Sequence, residues 1–130
     1  MPGSYLDSSA IVKLAIDEPH SAALRRYLRR RGPFLSSALA RTEVLRALLG
    51  EGEPGLTRGR AVLGRISLIR VNDRLLDAAG TLLPAGLRSL DAIQLATALQ
   101  LGDDIRQIVT YDERMVSAAA DLGMRTATPA

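Results

Sequence analysis

Tyr5-Leu6-Asp7-Ser8-Ser9-Ala10, near the start of the chain, reads as a strand-to-helix junction. Two apolar residues lead into an acidic and hydroxyl-bearing turn, and apolar residues then recur with helical spacing over residues 10–15. This order predicts a strand, a turn and a helix, with Ser8 or Ser9 as the N-cap. Asp7 would therefore lie at the carboxyl end of the first strand, where the ligands of α/β sheets bind.

The same alternation of strand and helix patterns continues to the end of the chain. Further strands are predicted at residues 34–36, 66–71, 107–110 and 124–126. Helices are predicted at residues 19–31, 37–50, 56–63, 72–83, 90–101 and 113–122, with a break at 51–55 and with Ser89 as the cap of the helix that follows it. We therefore expect a single α/β domain over residues 1–130, in which helices cover both faces of a short, mostly parallel central sheet.

The composition excludes several classes of protein. A chain of 130 residues with 47% apolar residues can build one buried core. The absence of cysteine excludes disulfides, thiolate zinc sites and a cysteine nucleophile, and it suits a reducing cytoplasm. Residues 1–5 do not resemble a secretory signal, and no apolar stretch reaches the roughly 20 residues of a membrane span. We expect a cytoplasmic protein with no membrane partner.

The basic residues are almost all arginine. The net charge is +3, the isoelectric point is about 9.9, and Lys13 is the only lysine among 17 basic residues. A guanidinium group can bind a phosphate in a bidentate manner, which suits a nucleic-acid partner. A bias in genome composition explains the same arginine content equally well. Both interpretations stay open.

Four acidic residues occupy positions from which they can meet. Asp7 and Asp112 follow the first and fourth predicted strands, and Glu43 and Asp91 fall in the first two turns of predicted helices. Taken singly, each has an ordinary structural explanation as a helix cap or as a carboxylate that complements a helix dipole. Taken together, they predict a cluster of carboxylates at one edge of the sheet.

Clustered carboxylates stay ionised at neutral pH only where a cation offsets their repulsion. Ligation by oxygen alone favours magnesium or manganese over zinc. Such an ion can lower the pKa of a bound water and orient it toward a phosphodiester, so hydrolysis of nucleic acid is the predicted chemistry. Thr110 is a candidate for orienting the acids through a hydrogen bond. The basic residues nearest to the acids in sequence, which could contact RNA phosphates or pair with the acids, are Lys13, Arg41, Arg46, Arg88 and Arg114.

At these positions the sequence resembles a known family. The four motifs of PIN domains are matched in order by Tyr5-Leu6-Asp7-Ser8-Ser9-Ala10, Thr42-Glu43-Val44, Ser89-Leu90-Asp91-Ala92-Ile93-Gln94-Leu95-Ala96-Thr97-Ala98 and Val109-Thr110-Tyr111-Asp112-Glu113-Arg114-Met115. More narrowly, the whole chain is similar to VapC-type toxins, the ribonuclease halves of toxin-antitoxin pairs. The resemblance implies a PIN-like α/β/α fold and an endoribonuclease dependent on magnesium or manganese. It also implies a homodimer and a small VapB-type antitoxin that blocks the site. The fourth acidic position, here Asp112, is the most variable of the four in the family.

Other functions fit the sequence less well. A phosphoacceptor signalling domain needs an aspartate after its central strand and a lysine near its end, and Lys13 is the only lysine. A serine hydrolase needs a histidine partner, and His20 is the only histidine. A non-catalytic PIN relative that binds RNA or protein is the remaining alternative, although intact acids argue against it. Residues 56–63 and their neighbours are the predicted dimer surface.

Overall fold

The computed structural model describes residues 1–130, and it contains five β-strands and seven α-helices. The strands are β1 (Gly3–Leu6), β2 (Phe34–Ser37), β3 (Ser67–Ile69), β4 (Ile105–Val109) and β5 (Thr126–Ala127). The helices are α1 (Ser8–Ala15), α2 (Ser21–Leu28), α3 (Ala40–Leu48), α4 (Gly52–Leu63), α5 (Asp73–Gly80), α6 (Ser89–Leu101) and α7 (Glu113–Asp121). Short 3-10 turns at Leu49–Glu51 and Gly102–Asp104 follow α3 and α6. No helix is both long and apolar enough to span a bilayer.

All neighbouring strands of the single sheet are parallel, and their order is β3-β2-β1-β4-β5. The chain moves outward from β1 to β3 on one side and from β4 to β5 on the other, so the strand order reverses between β1 and β4. In open α/β sheets, ligands bind at the carboxyl ends of the strands that flank such a reversal. The ends of β1 and β4 are therefore the expected place for a functional site.

Successive side chains of β1 point to opposite faces of the sheet and enter two different cores. Leu6 packs in the cluster formed with α1, α2, α3 and α4, whereas Tyr5 packs with α6 and α7. Because α6 packs against both the sheet and α5, the middle of the helix, residues 92–98, is buried on nearly all sides. Helices thus cover both faces of the sheet, and the predicted three-layer α/β/α architecture is confirmed.

Two predicted helix starts were wrong. Asp7, and not Ser8 or Ser9, is the N-cap of α1, and its Oδ1 accepts a hydrogen bond of 3.2 Å from the backbone N–H of Ala10. The predicted break at residues 51–55 is shorter, because α4 already begins at Gly52. Pro54 lies in the first turn of α4, where its missing N–H has no helical partner to lose.

Other element boundaries differ by a few residues. Helix α2 begins at Ser21, since His20 adopts a left-handed conformation at φ +73° that separates the helix from Pro19. Helix α5 ends at Gly80 and not at residue 83, and Arg88, not Ser89, occupies the N-cap position of α6. Strand β5 is Thr126–Ala127, whereas residues 124–126 were predicted. Asn72 is the N-cap of α5, and α6 ends at Leu101 as predicted, with Gly102 directly after it.

Candidate active site

Asp7 lies at the centre of the carboxyl edge, directly after β1. Its backbone N–H donates to the carbonyl oxygen of Val109, the last residue of β4, at 3.2 Å. The side chain is 5% exposed. The extended backbone of Asp7 turns the chain from strand into α1, which fixes the carboxylate between the ends of the two central strands.

Three donors hold the Asp7 carboxylate. Ser9 Oγ donates to Oδ1 at 2.6 Å, the backbone N–H of Ala10 donates to the same oxygen, and Thr110 Oγ1 donates to Oδ2. No lysine or arginine lies within ion-pair distance of Asp7. Burial raises the pKa of Asp7 from 3.8 to about 6, against the lowering effect of the three hydrogen bonds, and the nearby carboxylate of Asp112 raises it further. Asp7 is a buried acid with no basic side chain as an ion-pair partner.

Glu43 reaches the edge from the first turn of α3 and is half-buried. Its Oε1 accepts hydrogen bonds from Ser8 Oγ at 2.8 Å and from Gln94 Nε2 at 2.7 Å. Its Oε2 accepts no hydrogen bond from the protein. One carboxylate oxygen is therefore fixed and the other is free to bind a ligand.

Asp91 lies in the first turn of α6 and is half-buried. Burial raises its pKa, and the carboxylates of Asp112 and Glu43 add to this effect. Two guanidinium groups oppose it, those of Arg88 and Arg114. Arg88 Nε lies 3.8 Å from Asp91 Oδ2. Asp91 thus lies within the field of both acidic and basic neighbours.

Asp112 is the N-cap of α7, as its ordinary structural explanation predicted. Its side-chain oxygen accepts from the backbone N–H of Arg114 at 2.9 Å, and its own N–H donates to Thr110 Oγ1 at 3.1 Å. The same carboxylate raises the pKa of Asp7 and of Asp91. Capping therefore holds Asp112 beside the other acids.

The four acids share one electrostatic neighbourhood at the carboxyl edge, since Asp112 acts on Asp7 and both Asp112 and Glu43 act on Asp91. They do not form a finished coordination shell: no group of three or more acidic or histidine side chains in the chain is arranged to hold a metal ion. Ionised carboxylates repel one another unless a cation lies between them. The donor set, which contains only oxygen, fits a hard divalent ion.

Comparison with known proteins identifies the family of the chain. The model of the PIN domain family matches residues 4–121. The chain belongs to the PIN-domain family. Over 129 residues this PIN domain is 59% identical to ribonuclease VapC46 of Mycobacterium tuberculosis, and the match covers 99% of each chain. It is therefore a VapC-type member of the family.

Solved structures share the fold of this PIN domain. A toxin-antitoxin complex from Klebsiella pneumoniae superposes with a TM-score of 0.76 at 18% identity and covers 98% of both chains. The crystal structure of Mycobacterium tuberculosis VapC20, a sarcin-ricin loop cleaving toxin, gives a TM-score of 0.74 at 16% identity, over 89% of this chain and 95% of VapC20. At these identities the likeness shows the fold alone.

The side chains that hold the acids of the PIN domain were predicted only in part. Thr110 was predicted to orient the acids through a hydrogen bond; it donates one to Asp7 Oδ2, and its orienting role stays a prediction. Ser8 and Ser9 were predicted as helix caps, but they hold Glu43 and Asp7 instead. Gln94 was missed altogether, although it is a buried amide among apolar neighbours in the middle of α6. Such a group needs hydrogen-bond partners, and that requirement could have identified it.

The basic residues around the acids differ in their roles. Arg88 and Arg114 line a groove beside Asp91, between α7 and the segment before α6. Lys13 is engaged elsewhere: its Nζ lies 3.6 Å from Glu18 Oε1 and 4.8 Å from the centre of the Tyr111 ring. The exposed residues that form no ion pair include Arg41 and Arg46. Arg88 and Arg114 are thus the two guanidinium groups that act on Asp91.

Proposed function

We propose that this PIN domain is a metal-dependent endoribonuclease that hydrolyses phosphodiester bonds in RNA and is the toxin of a VapBC-type toxin-antitoxin pair. The observation that carries the proposal is the environment of Asp7. Its carboxylate is buried without a cationic partner, its pKa is raised to about 6, and Asp112 lies close enough to raise that pKa further. Buried charges in proteins are paired or bind metals.

The residues that would hold Mg²⁺ or Mn²⁺ are Asp7, Glu43, Asp91 and Asp112. Carboxylate oxygens are the ligands that these ions prefer. When bound, the ion would supply charge stabilisation at the phosphate and a more acidic water. Hydrogen bonds within the protein already hold two of these carboxylates in place. Thr110 and Ser9 hold Asp7, and Ser8 and Gln94 hold Glu43.

Asp91 is the acid best suited to take a proton from the attacking water. It is more exposed than Asp7, and none of its oxygens accepts a hydrogen bond from the protein. Burial and the neighbouring carboxylates raise its pKa, which makes it a stronger base than an exposed aspartate. Asp91 therefore combines access to water with basicity.

RNA phosphates would bind in the groove beside Asp91. Arg88 and Arg114 line this groove together with Asp91, Glu113 and Asp121, and the two guanidinium groups are the side chains suited to a phosphate. With one Phe, three Tyr and no Trp, the chain has no extended aromatic surface for stacking bases. Phosphate contacts fix the register of a nucleic acid but carry no sequence information.

A small VapB-type antitoxin and a second copy of the chain are the proposed protein partners. Support for the antitoxin comes from the VapC relatives and from the solved toxin-antitoxin complex with the same fold. The homodimer rests on the family resemblance. Within residues 56–63, Val62 and Leu63 are buried in the monomer core, so the outer face of α4 offers mainly polar residues such as Thr57, Arg58 and Arg60.

Cleavage of purified total RNA tests the proposed activity. The protein is incubated with Mg²⁺, Mn²⁺ or EDTA, beside the Asp91→Asn variant and an Asp77→Asn control on the exposed face of α5. We expect discrete fragments from the wild type and the control with either ion, and none with EDTA or with Asp91→Asn. Cleavage that persists in EDTA would contradict the proposal. Intact RNA in every lane would favour a binding module.

A further inference from the structure

The free oxygen of Glu43 lies at the end of a chain of hydrogen bonds that starts in the core. Tyr5 in β1 and Gln94 in α6 are both buried. The Tyr5 hydroxyl donates to Gln94 Oε1, and Gln94 Nε2 donates to Glu43 Oε1 at 2.7 Å. Three elements that are distant in sequence thus meet at one carboxylate.

Chemistry fixes the direction of this chain. An ionised glutamate can only accept hydrogen bonds, so the amide of Gln94 must present Nε2 to Glu43 and leave Oε1 for a donor. The Tyr5 hydroxyl is a phenol, which is protonated at neutral pH, and it supplies that donor. Tyr5 therefore prevents the Gln94 amide from turning its oxygen toward Glu43.

The result is a carboxylate with two different oxygens. Oε1 of Glu43 is held by Ser8 Oγ at 2.8 Å and by Gln94 Nε2, whereas Oε2 accepts no hydrogen bond. We propose that Tyr5 and Gln94 are positioning residues that fix Glu43 so that it offers only Oε2 to a divalent cation, as a monodentate ligand. This proposal rests on the proposed metal-dependent function.

The chain contains a matched control for the same chemistry. Tyr27 donates to Gln107 Oε1 at 2.6 Å, and Gln107 Nε2 donates to Ser4 Oγ at 3.0 Å. This second tyrosine-glutamine pair ends on a hydroxyl and not on a carboxylate. Tyr27→Phe therefore removes an equivalent hydrogen bond without affecting any of the four acids.

The experiment measures Mn²⁺ binding to the full chain by electron paramagnetic resonance of the free ion, with thermal unfolding to check each fold. Removal of an outer hydrogen bond to a metal ligand typically weakens affinity by about 10- to 100-fold. We expect Tyr5→Phe to raise the Mn²⁺ Kd about 10-fold and Gln94→Met to raise it at least as much. Tyr27→Phe should leave the Kd unchanged.

Two further readouts separate positioning from general loss of structure. If Tyr5 acts through Gln94, the double variant Tyr5→Phe/Gln94→Met should bind Mn²⁺ as weakly as Gln94→Met alone. In RNA cleavage, the kcat of Tyr5→Phe should fall at low Mn²⁺ and recover at saturating Mn²⁺, while the KM for RNA stays constant, because neither residue lies on the surface.

The outcomes are distinguishable. If the wild type binds Mn²⁺ and both Tyr5→Phe and Gln94→Met bind it with the same Kd, the positioning proposal is overturned. The proposed function would still stand. Equal weakening in Tyr27→Phe would also overturn it, since the effect would then be a general one. Failure of the wild type to bind Mn²⁺ would contradict the proposed function and the positioning proposal together.

Discussion

Replacing Asp7 with asparagine is expected to stabilise the metal-free protein at neutral pH, although the same change should abolish RNA cleavage. The reason lies in the burial of the carboxylate, which raises its pKa from 3.8 to about 6. An asparagine carries no charge, and like a protonated carboxyl it can accept from Ser9 and Ala10 while donating toward Thr110 Oγ1. Sites built for function often reduce stability in this way.

The magnitude follows from the linkage between protonation and folding. Between the two pKa values the folded state keeps a proton that the unfolded state has lost, so the free energy of unfolding of the wild type falls as pH rises from about 4 to about 6. A shift of roughly two units corresponds to about 3 kcal/mol once both states are ionised. We expect Asp7→Asn to exceed the wild type by about 1.5 kcal/mol at pH 5 and by up to about 3 kcal/mol at pH 8.

The assay is thermal or denaturant unfolding of both proteins in EDTA at pH 5 and pH 8. For a domain of this size, 3 kcal/mol corresponds to a rise in Tm of roughly 10 °C. Asp77→Asn on the exposed face of α5 is the control and should change little at either pH. Equal or lower stability of Asp7→Asn at pH 8, or the same difference at both pH values, would refute the reasoning.

Three other changes probe the site and the fold. Thr110→Val removes a donor to Asp7 and should weaken Mn²⁺ binding about 10-fold, measured by titration; unchanged affinity would show that this hydrogen bond does not orient the acid. Arg114→Ala should weaken RNA binding and reduce the slope of log affinity against log salt by about 1, whereas Arg106→Ala, which lies outside the groove, should not. Gly3→Ala would place a Cβ 2.2 Å from a backbone oxygen and should lower the Tm strongly, whereas Gly80→Ala meets open space and should be tolerated.

Much of the fold could be predicted because local pattern and global architecture agree. Tyr5 and Leu6 are adjacent in β1 and enter two different cores. In α6, Asp91 lies in the first turn and a mainly apolar stretch follows it. The errors fall at helix ends, where a single side chain or backbone angle decides the boundary. His20 separates α2 from Pro19 through its left-handed backbone, a conformation that is uncommon for residues other than glycine.

The acids of the site could be predicted because parallel strands bring their carboxyl ends to one edge. Their supporting contacts could not. Gln94 and Glu43 are 51 residues apart in sequence, and Thr110 and Asp7 are 103 apart, so only the folded chain shows that they are hydrogen-bonded. The assignment of Asp7, Glu43, Asp91 and Asp112 as metal ligands stays a prediction, and the side chain of Asp112 is also seen to cap α7.

The most direct test of the central claim is the position of a Mn²⁺ ion in crystals of the wild-type protein, located by anomalous scattering. The account predicts one peak or more at the carboxyl ends of β1 and β4, about 2.1 Å from oxygens of Asp7 and Asp91, with Glu43 contributing Oε2 alone. A fully occupied peak elsewhere in a crystal of active protein, or none at this edge at millimolar Mn²⁺, would contradict the account.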